Sequence, residues 1–105
     1  MIQSITVEEL KSRLDQGEQI HILDVREPAE YAEVNMGVKL IPLGQVMSGM
    51  IEDIEDWKND EVIVHCRSGV RSMQACAMLE QLGFTNTKNL TGGIIAWEAL
   101  KASGV

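Results

Sequence analysis

Little in this chain of 105 residues suits a membrane, a metal ion or a polyanion. Its apolar runs are only a few residues long, so no segment reads as a membrane span or a secretory leader. Lysine and arginine number 9 against 16 acidic residues, a formal net charge of −7. That balance argues against a general binder of nucleic acid or anionic membrane, while leaving room for one local positive site. The two histidines are isolated and no Cys-x2-Cys pair occurs, so no metal site is expected. The two cysteines, Cys66 and Cys76, lie in no disulfide-rich context, which fits a reducing cytoplasm. No repeat, low-complexity tract or linker interrupts the chain. The length suits one domain over residues 1–105, with a core that needs no staples and a monomer as the expected state.

What is present alternates between strand and helix, which predicts an α/β fold with a mainly parallel sheet. Five strands are expected, over residues 2–5, 20–25, 38–41, 61–65 and 87–90. Thr6 can cap a helix that runs to Gln16 and stops at Gly17, with Glu9 where a capping box needs it. Pro28 is placed as the first residue of a short helix over 28–33. Val46, Met50, Ile51, Ile54 and Trp57 recur at helical spacing and predict an amphipathic helix over 45–56. Further helices are expected over 72–82, ended by Gly83, and over 94–102, after a turn at Thr91-Gly92-Gly93. Met1 and residues 103–105 are expected to fray.

The most informative stretch is Cys66-Arg67-Ser68-Gly69-Val70-Arg71-Ser72, between the apolar run Val62-Ile63-Val64 and a helix. Ligands of open α/β sheets bind beyond the carboxyl ends of strands. Here one strand end carries Cys66, and another carries Asp24 and Arg26; if the two strands are neighbours, these residues stand beside the cysteine loop. Loop amides and a helix N-terminus favour an anion, so the thiol should be acidic and nucleophilic. Gly69 suits a sharp backbone path, and Val70 is small enough to cross the mouth. Arg71 opens the helix, where a cation opposes the helix dipole by about 0.3–1 kcal/mol, so an anionic ligand or a carboxylate partner is expected beside it. Arg67 is read as reaching over the rim toward an anionic donor, and Arg67 and Arg71 together as the donor-recognition and electrostatic residues. The amides of residues 67–72 would form the cradle, with the Ser68 and Ser72 hydroxyls as helpers.

Cysteine phosphatases of the protein tyrosine phosphatase type use Cys-x5-Arg, with arginine six positions after the cysteine. Here Arg71 is the fifth, and the tighter ring suits one sulfur atom better than a tetrahedral phosphate. A phosphatase or an arsenate reductase on the same fold is therefore the weaker rival.

The chain resembles the rhodanese family, specifically its single-domain members. The likeness rests on Asp24-Val25-Arg26-Glu27-Pro28 with Glu30-Tyr31, on Ile41-Pro42-Leu43 and on the cysteine loop with His65. It continues through Gly83-Phe84, Asn89-Leu90, Gly92-Gly93 and Ala96-Trp97. The resemblance implies a sulfurtransferase, needing no metal or organic cofactor, in which Cys66 takes a sulfane sulfur from a small donor, such as thiosulfate or a polysulfide, and holds it as a persulfide. A thiol acceptor, thioredoxin or another protein among them, or cyanide would then remove it. A sulfur-relay module with weak activity of its own is the alternative within that resemblance. One segment departs from the family pattern: Val34-Asn35-Met36-Gly37-Val38 is a residue short and lacks a usual histidine.

Plainer readings apply elsewhere. Cys76 sits among Ala75, Ala77, Met78 and Leu79 and reads as a core residue rather than a resolving thiol. His65 alternates with Cys66 along the strand, so it should face away from the thiol and pack. His21 is read as structural, Trp57 and Trp97 as core, and residues 52–56 as a solvated acidic face. Met47 and Met50 are read as packing, with a donor or partner surface as the minority reading. Asp24 is read as a cap or an arginine partner, and Arg26 as the ion-pair partner of Glu27 or Glu30.

Overall fold

The computed structural model describes residues 2–104, so the expectation for Met1 and Val105 lies outside the described residues. The elements follow the predicted alternation: β1 (Gln3–Ile5), α1 (Val7–Asp15), β2 (His21–Asp24), α2 (Pro28–Glu33), β3 (Lys39–Leu40), α3 (Leu43–Met47), a 3₁₀ helix (Glu52–Trp57), β4 (Glu61–His65), α4 (Val70–Gln81), β5 (Asn86–Leu90) and α5 (Gly93–Ala102). The strands form one five-stranded sheet in the order β1-β5-β4-β2-β3, and every pairing is parallel.

Alternation along the strands sends apolar side chains to both faces. On one face Leu23, Val62 and Val64 pack with Val46 of α3, with Ile51 and Ile54, and with Ala75, Cys76 and Leu79 of α4. On the other, Ile22, Ile63 and Leu90 meet Leu10 of α1, with Trp97 and Leu100 of α5 against them. Helices thus cover both faces, and each fully buried aliphatic side chain contributes about 1.5–3 kcal/mol.

Local signals set several boundaries. The capping box at α1 forms: the Glu9 amide donates to Thr6 Oγ1 at 3.1 Å, and the Thr6 amide donates to Glu9 Oε1 at 3.1 Å. Pro28 starts α2, where its missing N–H costs nothing. The helix expected over 45–56 is instead two short pieces, α3 and the 3₁₀ helix. Gly49 between them takes a φ of 76°, which a right-handed helix cannot continue through. The break lets Val46, Ile51 and Ile54 all reach the core and leaves Met47 and Met50 exposed. Helix α4 begins earlier than expected, so Val70 and Arg71 belong to its first turn.

Candidate active site

Cys66 follows the last residue of β4, which has β2 on one side and β5 on the other. In the β2–β4 register Asp24 lies opposite His65, so the segment carrying Asp24 and Arg26 does stand against the cysteine strand. The loop then folds back over the sulfur. The Gly69 amide donates to Cys66 Sγ at 3.1 Å, and the Ser72 hydroxyl oxygen lies 3.3 Å from the same sulfur. Gly69 has a φ of 120°, open to glycine and strained for any other residue, so this path depends on it. Cys66 is only 1% exposed. That burial pushes its thiol pKa up, but the Ser72 hydroxyl and the amides of Ser72, Gly69 and Ser68 outweigh it and hold the thiol below its ordinary value.

The outer side of the loop is held from α5. The Ile94 amide donates to the Cys66 carbonyl at 2.9 Å and the Ile95 amide to the Arg67 carbonyl at 3.2 Å. These are amides that a helix N-terminus leaves unpaired. Gly93 makes the approach possible, since a Cβ there would lie 2.5 Å from both the Cys66 and the Arg67 carbonyl oxygens. The inner side is held from β5: Asn89 Nδ2 donates to the Gly69 carbonyl at 3.3 Å, and Asn89 Oδ1 accepts from the Ser72 hydroxyl.

Beside the loop, Arg71 and Arg26 each have a carboxylate partner. Arg71 meets Glu30 through two bonds, at 2.7 and 2.9 Å, which supplies the carboxylate partner its position at a helix start calls for. Arg71 and the Glu27 amide hold the Glu30 carboxyl down at about 2. Arg26 does not pair with Glu27 or with the Glu30 carboxylate. It is buried against Asp24, with Nη2 to Oδ2 at 2.8 Å, and its remaining donors go to the carbonyls of Glu30 and Val34. Asp24 is two residues away and equally buried, while the Glu30 carboxylate is already taken. Arg67 makes no ion pair among the described residues. With Glu33, Val34, Ile95 and Glu98 it borders a groove of about 590 Å³ beside the loop.

A family model for the rhodanese-like domain matches residues 6–100. The chain belongs to that family. A sulfurtransferase from Allochromatium vinosum is 40% identical over 103 residues, covering 92% of this chain and 89% of that protein. The thiosulfate sulfurtransferase PspE of Escherichia coli is 37% identical over 73 residues, covering 69% of each chain. Among solved structures, a rhodanese-like domain protein from Staphylococcus aureus superposes with a TM-score of 0.80 at 33% identity, covering 91% of each chain.

The other residues singled out in the sequence of this rhodanese-like domain make no hydrogen bond to the Cys66 sulfur among the described residues. His65 is fully buried; its Nδ1 lies 3.3 Å from the Cys66 carbonyl and its Nε2 3.6 Å from Asp24 Oδ2, so its bond is to the backbone and not to the sulfur. Burial pushes its pKa down, which keeps the ring neutral at pH 7. Cys76 is buried on α4, and that burial pushes its thiol up to about 12, which makes it inert at neutral pH. His21 stacks on Trp57 at 4.3 Å and meets Asp60 at 3.1 Å. In the segment that departs from the family pattern, Asn35 bonds the Tyr31 carbonyl at 2.9 Å and accepts from the Gly37 amide at 2.8 Å, closing the shorter turn on itself.

Two residues that shape the site were quoted for the family likeness but given no role at the site by sequence reasoning. Gly93 was read as part of a turn, although a second consecutive glycine before a helix is the mark of a close backbone approach. Asn89, a buried amide in a strand, gave the other signal: such a group must find partners.

Proposed function

We propose that the chain is a sulfurtransferase that carries a sulfane sulfur as a persulfide on Cys66, taking it from a small anionic donor such as thiosulfate and passing it to a thiol. The observation that carries this reading is the sulfur of Cys66 held by the Gly69 amide at 3.1 Å, with the Ser72 hydroxyl oxygen 3.3 Å away. The PspE relative, described as a thiosulfate sulfurtransferase, supports thiosulfate as the donor. Arg67, which has no ion pair among the described residues and borders the groove, is the cation that would draw the donor in.

In the first step the Cys66 thiolate attacks the sulfane sulfur of thiosulfate. A bond forms between Sγ and that sulfur, the bond to the sulfonate sulfur breaks, and sulfite leaves with the electron pair. The outer sulfur carries the negative charge, and the loop amides are preorganised to stabilise it. In the second step an acceptor thiolate attacks the outer sulfur, the Sγ–S bond breaks, and Cys66 leaves as thiolate. Cyanide would react in the same way to give thiocyanate. A protein acceptor such as thioredoxin would reach the sulfur across Val70, the exposed residue at the rim. Phosphate chemistry fits less well, because Glu30 already holds Arg71.

Intact-mass measurement after incubation with thiosulfate tests the reading. The expected result is a gain of one sulfur atom, discharged by cyanide or thiol and absent in Cys66→Ser. No gain, or a gain that survives Cys66→Ser, overturns it.

A further inference from the structure

The Ser72 hydroxyl has one proton and two claimants. Its oxygen stands 3.3 Å from Cys66 Sγ and within hydrogen-bond distance of Asn89 Oδ1. The other end of the Asn89 amide settles which atom faces the serine. Nδ2 donates to the Gly69 carbonyl at 3.3 Å, and only a nitrogen can make that bond, so the oxygen faces Ser72. Asn89 Oδ1 accepts and cannot donate. In the resting protein it therefore takes the Ser72 proton, and the serine turns a lone pair toward the sulfur, where it accepts from the thiol. By holding that proton, Asn89 withholds part of the help the hydroxyl would give a Cys66 thiolate, which the Gly69 amide still supports.

We propose that Asn89 is a positioning residue that competes with the Cys66 sulfur for the single proton of the Ser72 hydroxyl, so that the hydroxyl changes partner within each catalytic cycle. When Cys66 is a thiolate the hydroxyl turns to the sulfur and Asn89 goes without. When Sγ is bonded to a second sulfur it is neutral, and the hydroxyl returns to Asn89. When an acceptor thiolate bonds to the outer sulfur and the Sγ–S bond breaks, the electron pair stays on Sγ. The hydroxyl then swings back to stabilise the thiolate that leaves. No proton crosses between residues; one O–H bond rotates.

The inference rests on Cys66 being the nucleophile proposed above, but its test needs no sulfur transfer. The charged and titratable groups around Cys66 are Arg67 on the loop, Arg71 and Cys76 on α4, buried His65 with Asp24 and Arg26 behind it, and Glu98 of α5 across the groove. Replacing Asn89 alters none of them. Asn89→Leu removes both bonds while keeping the branched outline of the side chain, and the Gly69 carbonyl keeps the Met73 amide at 3.2 Å, so no buried carbonyl is orphaned.

The readout is the midpoint of the pH dependence of Cys66 alkylation by iodoacetamide, with Cys76 silent because its pKa is about 12. Without its competitor, the Ser72 hydroxyl serves the thiolate at no cost, and the midpoint should fall by about 0.5–1 pH unit, the size of one hydrogen bond. In a Ser72→Ala background the same change at Asn89 should leave the midpoint where it is. A midpoint that rises or stays put in Asn89→Leu, or falls equally without the hydroxyl, overturns the proposal. Asn89→Ala carries the same readout if leucine does not fold. Sulfur uptake measured alongside separates the two readings: the expected midpoint shift with no uptake would sink the sulfurtransferase assignment and leave the competition of Asn89 and Cys66 for the Ser72 proton standing.

Discussion

Replacing Gly93 with alanine asks how closely α5 must approach the cysteine loop. Gly93 has a φ of 58°, a left-handed conformation that costs other residues about 1–2 kcal/mol. The added methyl would also lie 2.5 Å from two carbonyl oxygens and 2.6 Å from the Arg67 carbonyl carbon. All three are backbone atoms, so relief means moving the helix away from the loop. That movement weakens the Ile94 and Ile95 bonds to the loop, each worth about 0.5–1.5 kcal/mol. The sum is about 2–5 kcal/mol. Gly17→Ala is the control: its φ is 87° with no atom within 4 Å, so it carries only the conformational cost of about 1–2 kcal/mol. Urea unfolding followed by Trp57 and Trp97 fluorescence should show Gly93→Ala costing about 1–3 kcal/mol more than Gly17→Ala. Sulfur uptake should fall by roughly tenfold to a hundredfold in Gly93→Ala, since small displacements of a reacting group cost this much. Equal costs for the two variants, with sulfur uptake intact in both, would refute the claim that Gly93 sets the loop.

Two other outcomes follow from the charged groups. Glu30, at about 2 in the folded protein against an ordinary 4.5, binds its proton less readily when folded, so it stabilises the fold above about pH 4.5 and that contribution is lost as pH falls toward 2. Glu30→Gln should therefore lose less thermal stability than the parent between pH 5 and 2, and at pH 7 should cost no more than about 1 kcal/mol because the pair is partly exposed. An identical pH dependence in parent and variant would contradict this. Arg67→Ala removes a cation with no ion-pair partner, so stability should change by less than about 0.5 kcal/mol while KM for thiosulfate rises and its salt dependence weakens; an unchanged KM would remove Arg67 from the donor site.

Features carried by neighbours in sequence were legible. The capping box of Thr6 and Glu9, the start of α2 at Pro28 and the placement of Cys66 at a strand end need only a few adjacent residues. The adjacency of β2 and β4 was open in the sequence and settled by the sheet order. Features made by distant residues were harder to read. Arg71 was expected to find a carboxylate, but which one depends on α2 and α4 meeting across 41 residues of chain. Arg26 was assigned Glu27 or Glu30 by proximity, yet Asp24 is the carboxylate buried beside it. The break at Gly49 escaped notice because Val46, Ile51 and Ile54 keep a helical spacing while a left-handed turn separates them.

The place of Cys66 in the topology also governs when it becomes reactive. Its loop is completed by Asn89 on β5 and by amides at the start of α5, both late in the chain. Parallel strands pair only after a long crossover has closed, so these supports arrive after β4 and α4 have been made. Until then Cys66 is an ordinary cysteine, with a free-thiol pKa of about 8.5 and no cradle for a sulfur anion. A growing chain thus exposes the residue without exposing the chemistry. On the proposed function, the nucleophile would be armed only once β5 and α5 dock, and a molecule that stalls short of them would carry a thiol that neither charges with sulfur nor competes for donors.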